Sequence, residues 1–315
     1  MTATDIDLDL IRNYEDVDLV TQARIRAKHA ALRLKATLSL DPINTPRIGI
    51  VLGTGWNNVT NSLVNERSVD LESLPFFAAL LKGTPKIPGH ARRVMTGMLA
   101  NQPVMLLNGR VHMNEGGQAI SNAVRLQIEM FCELGVTTFI LTNGAGALND
   151  PATPSSEQRN VGDLMVHNGF ITLWMPSPLC GGEFCSPEDT LNEELQRRAL
   201  SAGERAGFKM HSGIYAAVRG PRFEGRKADK RVLRNAGAHA IGMSTIPEAD
   251  VIAARTTETY QPRVVAVSLY TNGDTEPHSH EENQRRAKEK GASLATFLET
   301  LVASLPESSA TPLNA

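Results

Sequence analysis

The stretch Pro103–Gly117, PVMLLNGRVHMNEGG, is the one from which the rest of the chain can be read. Its first five residues are apolar, and the remainder carries Arg110, His112 and Glu115 between glycines. An apolar run that passes straight into a polar, glycine-flanked segment predicts a buried strand delivering side chains to a site. In α/β proteins ligands collect beyond the carboxyl ends of strands. Arg110 and His112 stand two residues apart, so in extended chain they point to the same side. A cation beside a proton donor suits a multiply charged oxyanion, and phosphate is the leading candidate.

The same pattern recurs on both sides of this stretch. Ile48–Leu52 is a β-branched run that ends in Gly53-Thr54-Gly55, and Val136–Leu141 ends in Thr142-Asn143-Gly144-Ala145-Gly146. Leu164–Val166 begins a short strand. Ile214–Val218 ends in Gly220-Pro221, Ala238–Ile241 precedes Gly242-Met243-Ser244-Thr245, and Val264–Leu269 runs into Thr271-Asn272. Helical spacing of apolar residues predicts helices over Asp16–Leu40, Ala119–Leu134 (with Ser121 as N-cap and Gly135 past the end), Glu188–Ala206, Lys227–Asn235, Pro247–Thr256 and His280–Leu305. Strands alternating with helices mean an α/β protein with a mixed, largely parallel central sheet flanked by helices. The expected organisation is one domain over residues 46–305, preceded by residues 1–45, whose long helix packs on it. A disordered tail over 306–315 and a polar surface insertion over Asp150–Asn160 complete the picture.

Composition excludes several classes of protein. The 315 residues are 41% hydrophobic and 21% charged, with a net charge of -2, which is ordinary for a soluble globular chain. Near-neutral charge argues against a nucleic acid or a membrane surface as the partner and favours a small ligand. Cys132, Cys180 and Cys185 form no set with zinc-ligand spacing, so no metal is expected. The odd cysteine count fits a reducing compartment. With neither a cleavable signal nor a membrane-length apolar run, a cytoplasmic protein is expected.

Read together, the strand ends divide into two chemistries. Gly53-Thr54-Gly55 offers backbone N–H groups and a hydroxyl, the equipment of an anion-binding turn. Its spacing is neither that of a dinucleotide fingerprint nor that of a P-loop. His90, in a Pro-Gly turn, adds a proton donor. Ser244 and Thr245 precede a helix that Pro247 opens, and they can cap it or meet an anion there. The other chemistry lies in Phe223-Glu224 and Asn272. A ring that stacks, a carboxylate that accepts and an amide that does both fit a heteroaromatic base.

GTG at 53–55, PGHARR at 88–93, GRVHMNEGG at 109–117, TNGAGALN at 142–149, GPRFEG at 220–225, IGMSTIPE at 241–248 and TN at 271–272 occur in this order. Together they closely resemble the trimeric class of purine nucleoside phosphorylases, in the family that also holds the methylthioadenosine phosphorylases. The resemblance spans Arg47 to about Leu305. It implies a partly closed, barrel-like sheet and phosphorolysis of 6-oxopurine nucleosides to free base and ribose 1-phosphate, the alternatives being a methylthioadenosine or xanthosine phosphorylase and, behind these, a non-catalytic ligand-binding paralogue. Inorganic phosphate would be a co-substrate, no cofactor would be needed, and the chain would form a homotrimer. By position, phosphate would meet Thr54, His90, Arg110, His112, the Gly144 N–H and Ser244. The base would meet Tyr215, Phe223, Glu224, Ile241 and Asn272. The ribose would meet Met243, His280 and, from a neighbouring subunit, Phe184. His112, Glu224 and Asn272 would carry the catalysis, with Glu115 orienting His112. Asn114 and Gly273 depart from the family's pattern at the sugar and base edges.

Overall fold

Strands whose side chains are buried on both faces need helices on each side, and the chain supplies them in alternation. The computed structural model describes residues 14–41, 44–87, 91–150, 152–274 and 279–306. The order is α1 (Leu19–Thr37), β1 (Ile48–Leu52), β2 (Val64–Asp70), α2 (Phe77–Leu80), β3 (Arg93–Leu99), β4 (Gln102–Asn108), α3 (Gln118–Glu133), β5 (Thr138–Ala147) and β6 (Leu164–Trp174). Next come α4 (Glu193–Arg205), β7 (Met210–Val218), α5 (Asp229–Asn235), β8 (Ala240–Gly242), α6 (Ile246–Ala254), β9 (Arg263–Asn272), α7 (His280–Glu289) and α8 (Gly291–Ser304). Asp18 caps α1 by accepting from the Val20 and Thr21 N–H groups at 2.9 and 3.0 Å. The helix then buries Ala27, Ala30, Ala31 and Leu34 in the cluster that α3 fills with Ile120, Val124 and Phe131.

The strands form one mixed sheet in the order β2-β3-β4-β1-β5-β8-β7-β6-β9. A further parallel pairing of β5 with β9 closes β5, β8, β7, β6 and β9 into a ring. The sheet is therefore an open four-strand wing attached to a five-strand barrel, as the family resemblance implied. Pairings of β1 with β4 and β5, β5 with β9, and β7 with β6 and β8 are parallel.

The barrel's construction opens a cleft at one point. One edge of β5 pairs with β1 as far as Val51↔Leu141. The same edge is taken up again, antiparallel, by β8 from Gly146↔Ile241. Between these pairings Thr142–Ala145 face a gap where one neighbour has ended and the next has not begun. Strand order switches there, and a crevice at a switch point is where ligands of such sheets bind.

Several local expectations change. The edge strand β2 is exposed along nearly its whole length, so VNERSVD carries no apolar run to announce it. Its partner β3 is interrupted by Gly97, where a Cβ would lie 2.9 Å from the Val64 carbonyl oxygen. β5 runs past the expected strand end at Leu141 and through Asn143–Gly146, because β9 pairs with it as far as Asn272. β6 runs on from Val166 to Trp174. Ser121 lies inside α3 and is not its N-cap; Gly117 holds that position. The expected 188–206 helix breaks at Leu191, which bridges to Val264, and Asn192 caps α4 through the Leu195 N–H. The closing helix is two helices, α7 and α8, meeting where Gly291 passes Asn58 so closely that a Cβ would sit 2.3 Å from its amide nitrogen. Residues 1–13 and 307–315, parts of the expected N-terminal segment and tail, lie outside the described residues.

Candidate active site

The turn after β1 is built to bring backbone close to the cleft. A Cβ on Gly53 would lie 2.5 Å from the Thr142 carbonyl oxygen and 2.6 Å from the Asn143 Cα. Gly55 has φ +88° and would strike Ala287 of α7. Only glycine meets both demands. The Gly53 N–H donates to Thr142 Oγ1 at 3.1 Å, and Trp56 Nε1 donates to the Asn143 carbonyl at 3.0 Å. Thr54 is thereby held on the wall of a cavity of about 320 Å³, a size that suits a small organic ligand.

Of the residues expected to meet phosphate, Thr54, Arg110, His112, Gly144 and Ser244 all line this cavity. Arg110 arrives on the segment after β4 and is 1% exposed. Its Nη2 donates to the Thr142 carbonyl at 2.7 Å and to Ser244 Oγ at 3.0 Å. Its Nη1 stands 3.0 Å from Glu248 in the first turn of α6. The guanidinium is thus fixed by three different elements, and a bidentate grip on an anion requires exchanging some of these partners. Glu248 carried no role in the sequence reading, since a glutamate just after a helix-opening proline resembles an ordinary first-turn acid. Ser244 and Thr245 do not cap α6 through their side chains. Thr245 adopts φ +75° and takes a 2.7 Å hydrogen bond from Asn143 Nδ2.

Glu115 lies directly behind His112. Its Oε1 accepts the His112 backbone N–H at 2.8 Å and lies 3.4 Å from Nδ1, while Oε2 pairs with Arg92. Burial pushes the Glu115 carboxyl up, but hydrogen bonds from His112 and the pairing with Arg92 outweigh it, and its pKa falls below the usual value. A carboxylate at Nδ1 favours the proton on that nitrogen.

Phe223, Glu224, Ile241 and Asn272, expected at the base, and Met243, expected at the ribose, line the same cavity, as does Asn114. Asn272 is buried at the end of β9, its Oδ1 3.4 Å from Thr271 Oγ1. Glu224 lies 3.7 Å from the ammonium of Lys230, whose side chain is fully buried. Lys230 was not singled out in the sequence, because it sits among the charged residues of GRKADKR and looks like a solvated helix face. Asp274 is turned to other work: Arg234 holds both its oxygens at 2.7 and 2.8 Å, and the Asn149 N–H donates to it at 3.2 Å.

Tyr215, expected at the base, is not among the cavity's lining residues: it is buried behind the wall, with its hydroxyl 3.4 Å from the Ser244 nitrogen and its ring stacked on His167 at 4.6 Å. Burial raises its pKa to about 12. Phe184 is 95% exposed and lies outside the cavity of its own chain. His280 begins α7, and His90 lies outside the described residues. A buried chain of polar groups backs the cleft: His167 Nε2 to Ser268 Oγ at 2.7 Å, Ser268 to Asn143 Oδ1 at 2.6 Å, and Asn143 to Thr245. Burial drops the His167 pKa to about 3. Among the described residues no group of three or more His, Cys, Asp or Glu side chains is arranged to hold a metal ion, and no helix is long and apolar enough to cross a membrane.

The chain, with this fold and cleft, can be set beside known proteins. The family model described as the phosphorylase superfamily matches residues 47–303. The purine nucleoside phosphorylase of Bos taurus is 33% identical over 281 residues, covering 84% of this chain and 90% of its own. Purine nucleoside phosphorylase 1 of Bacillus subtilis is 28% identical, with 88% and 98% covered. Among solved structures, the Schistosoma mansoni purine nucleoside phosphorylase in complex with inosine superposes with a TM-score of 0.75 at 26% identity, covering 90% of this chain and 97% of the other. Sequence, sheet topology and cleft thus agree, and the chain belongs to the phosphorylase superfamily, within its purine nucleoside phosphorylase family.

Proposed function

We propose that the protein catalyses reversible phosphorolysis of 6-oxopurine ribonucleosides and deoxyribonucleosides, inosine and guanosine, as a cytoplasmic enzyme of purine salvage. The observation that carries this reading is that Arg110 and Ser244 share one cavity with Glu224 and Asn272. A phosphate dianion held by Arg110, Ser244, Thr54, His112 and the Gly144 N–H lies beneath the sugar. There it stabilises the cationic character that develops at C1′. One phosphate oxygen forms a bond to C1′ as the C1′–N9 bond breaks, and the electron pair passes into the purine. Glu224 accepts from the ring N–H, and Asn272 donates to the imidazole-side nitrogen as charge builds there. Interactions that strengthen as the leaving group becomes anionic raise turnover rather than mere binding. Positioning two reactants in this way contributes up to about 7–11 kcal/mol in ideal cases. No cofactor takes part in this scheme.

Base preference follows from two residues. A 6-aminopurine, as in methylthioadenosine, asks for an acidic acceptor near the exocyclic amine. Asn272 stands where such an acid would serve, and Asp274 is already committed to Arg234. Among inosine, guanosine, xanthosine, adenosine and methylthioadenosine, each offered with phosphate, the first two are expected to release base fastest. Fastest release from methylthioadenosine would overturn the preference, and release from none of the five would overturn the activity. The exposed Phe184 supports a homotrimer in which it closes the sugar site of a neighbouring subunit. Light scattering gives the mass, and Phe184→Ala should raise the nucleoside KM without changing that mass.

A further inference from the structure

Lys230 has a chemistry that its place in the sequence does not suggest. It lies at the start of α5, and its side chain is 0% exposed. A buried ammonium is strongly unfavourable unless its charge and its three N–H donors are met. Its partners are the Asp274 carbonyl at 2.8 Å, the Gly273 carbonyl at 3.2 Å and the Glu224 carboxylate at 3.7 Å. These partners come from two separate segments. Glu224 is on the loop between β7 and α5, and Gly273 and Asp274 follow Asn272 directly at the end of β9. One cation therefore joins the Glu224 carboxylate to the turn that follows Asn272. Arg234, one turn along the same helix, grips the Asp274 side chain and locks the turn from its other side.

We propose that Lys230 is a specificity-determining positioning residue, holding Glu224 and the Asn272-bearing turn in the arrangement that selects purines whose pyrimidine-ring nitrogen donates a hydrogen bond. This rests on the 6-oxopurine reading above. The physical reason is electrostatic. The Lys230 ammonium holds the Glu224 carboxylate in place, and a carboxylate acceptor suits the N–H of a 6-oxopurine. Adenine presents a lone pair at the same ring position and meets acceptor against acceptor. The fixed spacing between Glu224 and Asn272 then sets which ring fits between them. Burial pulls the Lys230 pKa below the ordinary lysine value, while Glu224 and Asp274 oppose that pull, consistent with a cation that depends on these neighbours.

The test uses the full-length protein with inosine and adenosine, each titrated with phosphate. Lys230→Met is expected to lower kcat/KM for inosine by roughly tenfold or more, the scale of a lost charge-assisted contact. The inosine-to-adenosine ratio should fall with it, and the phosphate KM should stay unchanged. In the Glu224→Gln background the same substitution should add little, because contacting residues that act together are not additive. Equal losses for both nucleosides, or a raised phosphate KM, would mean that Lys230 only fills space, and the inference falls. If Lys230→Met does not fold, Lys230→Gln carries the same expectation. The melting temperature of Glu224→Gln then also decides: it should drop as the ammonium loses its counter-ion, and an unchanged value overturns the tie. A wild-type protein that releases no base from inosine sinks the functional reading itself. A wild type that is active, with variants that lose activity uniformly, sinks this inference alone.

Discussion

In the proposed reaction Arg110 and Glu224 act on opposite sides of one bond, and each has a buried partner, Glu248 and Lys230. Arg110 and Glu248 are 1% and 2% exposed and 3.0 Å apart. Removing one member of such a pair leaves the other charged and uncompensated, which costs about 3–5 kcal/mol. Glu248→Gln is therefore expected to lower the melting temperature and to raise the phosphate KM, with a smaller effect on the nucleoside KM. An unchanged phosphate saturation curve would show that Glu248 does not hold Arg110 for its task. Glu224→Gln should cut inosine turnover by about 10²–10⁴-fold, the scale of one proton or hydrogen-bond partner in the transition state. Near-normal inosine kinetics would remove Glu224 from the mechanism. Arg110, His112, Glu224 and Asn272 could be singled out as candidates in the sequence because each lies at or beyond the end of a strand. Glu248 and Lys230 could not. Their roles depend on partners distant in sequence (Arg110 for one, the Gly273–Asp274 turn for the other) that no local pattern displays.

The elements that shape the cleft are β1, β5 and β8, and the glycine turn after β1 sets how closely the first two approach. Gly53→Ala places a methyl group 2.5 Å from the Thr142 carbonyl oxygen, and backbone cannot rotate away as a side chain can. A destabilisation of at least about 1–3 kcal/mol is expected, with weakened phosphate binding because Thr54 and Arg110's acceptor Thr142 move apart. Gly182→Ala, where a Cβ meets nothing within 4 Å, is the control, and equal melting temperatures for the two would refute the packing argument. Strands β1, β4 and β9 were readable because they are buried on both faces and so appear as continuous apolar runs. β2 was not, being an exposed edge, and β3 was hidden by Gly97 at its centre. Where β5 ends was misjudged for a different reason. Its glycines look like a loop locally, but β9 continues the ladder beside them, and pairing overrode local propensity.

At the scale of the whole molecule, buried titratable groups link stability to pH. Asp250 in α6 has its pKa raised to about 6, chiefly by burial and secondarily by Glu248, against a hydrogen bond from Ser177. The folded state holds that proton more tightly than the unfolded chain, whose aspartate titrates near 3.8. Stability from this group is therefore present below about pH 4 and lost as pH rises through about 6, by about 3 kcal/mol. Asp250→Asn should raise the melting temperature at pH 7.5 and give no gain near pH 4; a gain at both values would contradict the assignment. His167 acts with the opposite sign. Buried and neutral, with a pKa near 3, it supports the fold above about pH 6.5 and loses that support as the pH falls. The α/β class could be read from the alternation of strands and helices alone. Closure of the barrel came from the family resemblance, since the β5–β9 pairing joins segments more than a hundred residues apart. The central claim is that phosphate, not water, attacks the sugar. Phosphorus NMR of the full-length protein with inosine and phosphate tests it directly. The account predicts that inorganic phosphate converts to a sugar phosphate in equal amount to the hypoxanthine released, with no release when phosphate is left out. Hypoxanthine appearing while the inorganic phosphate signal stays constant would contradict it.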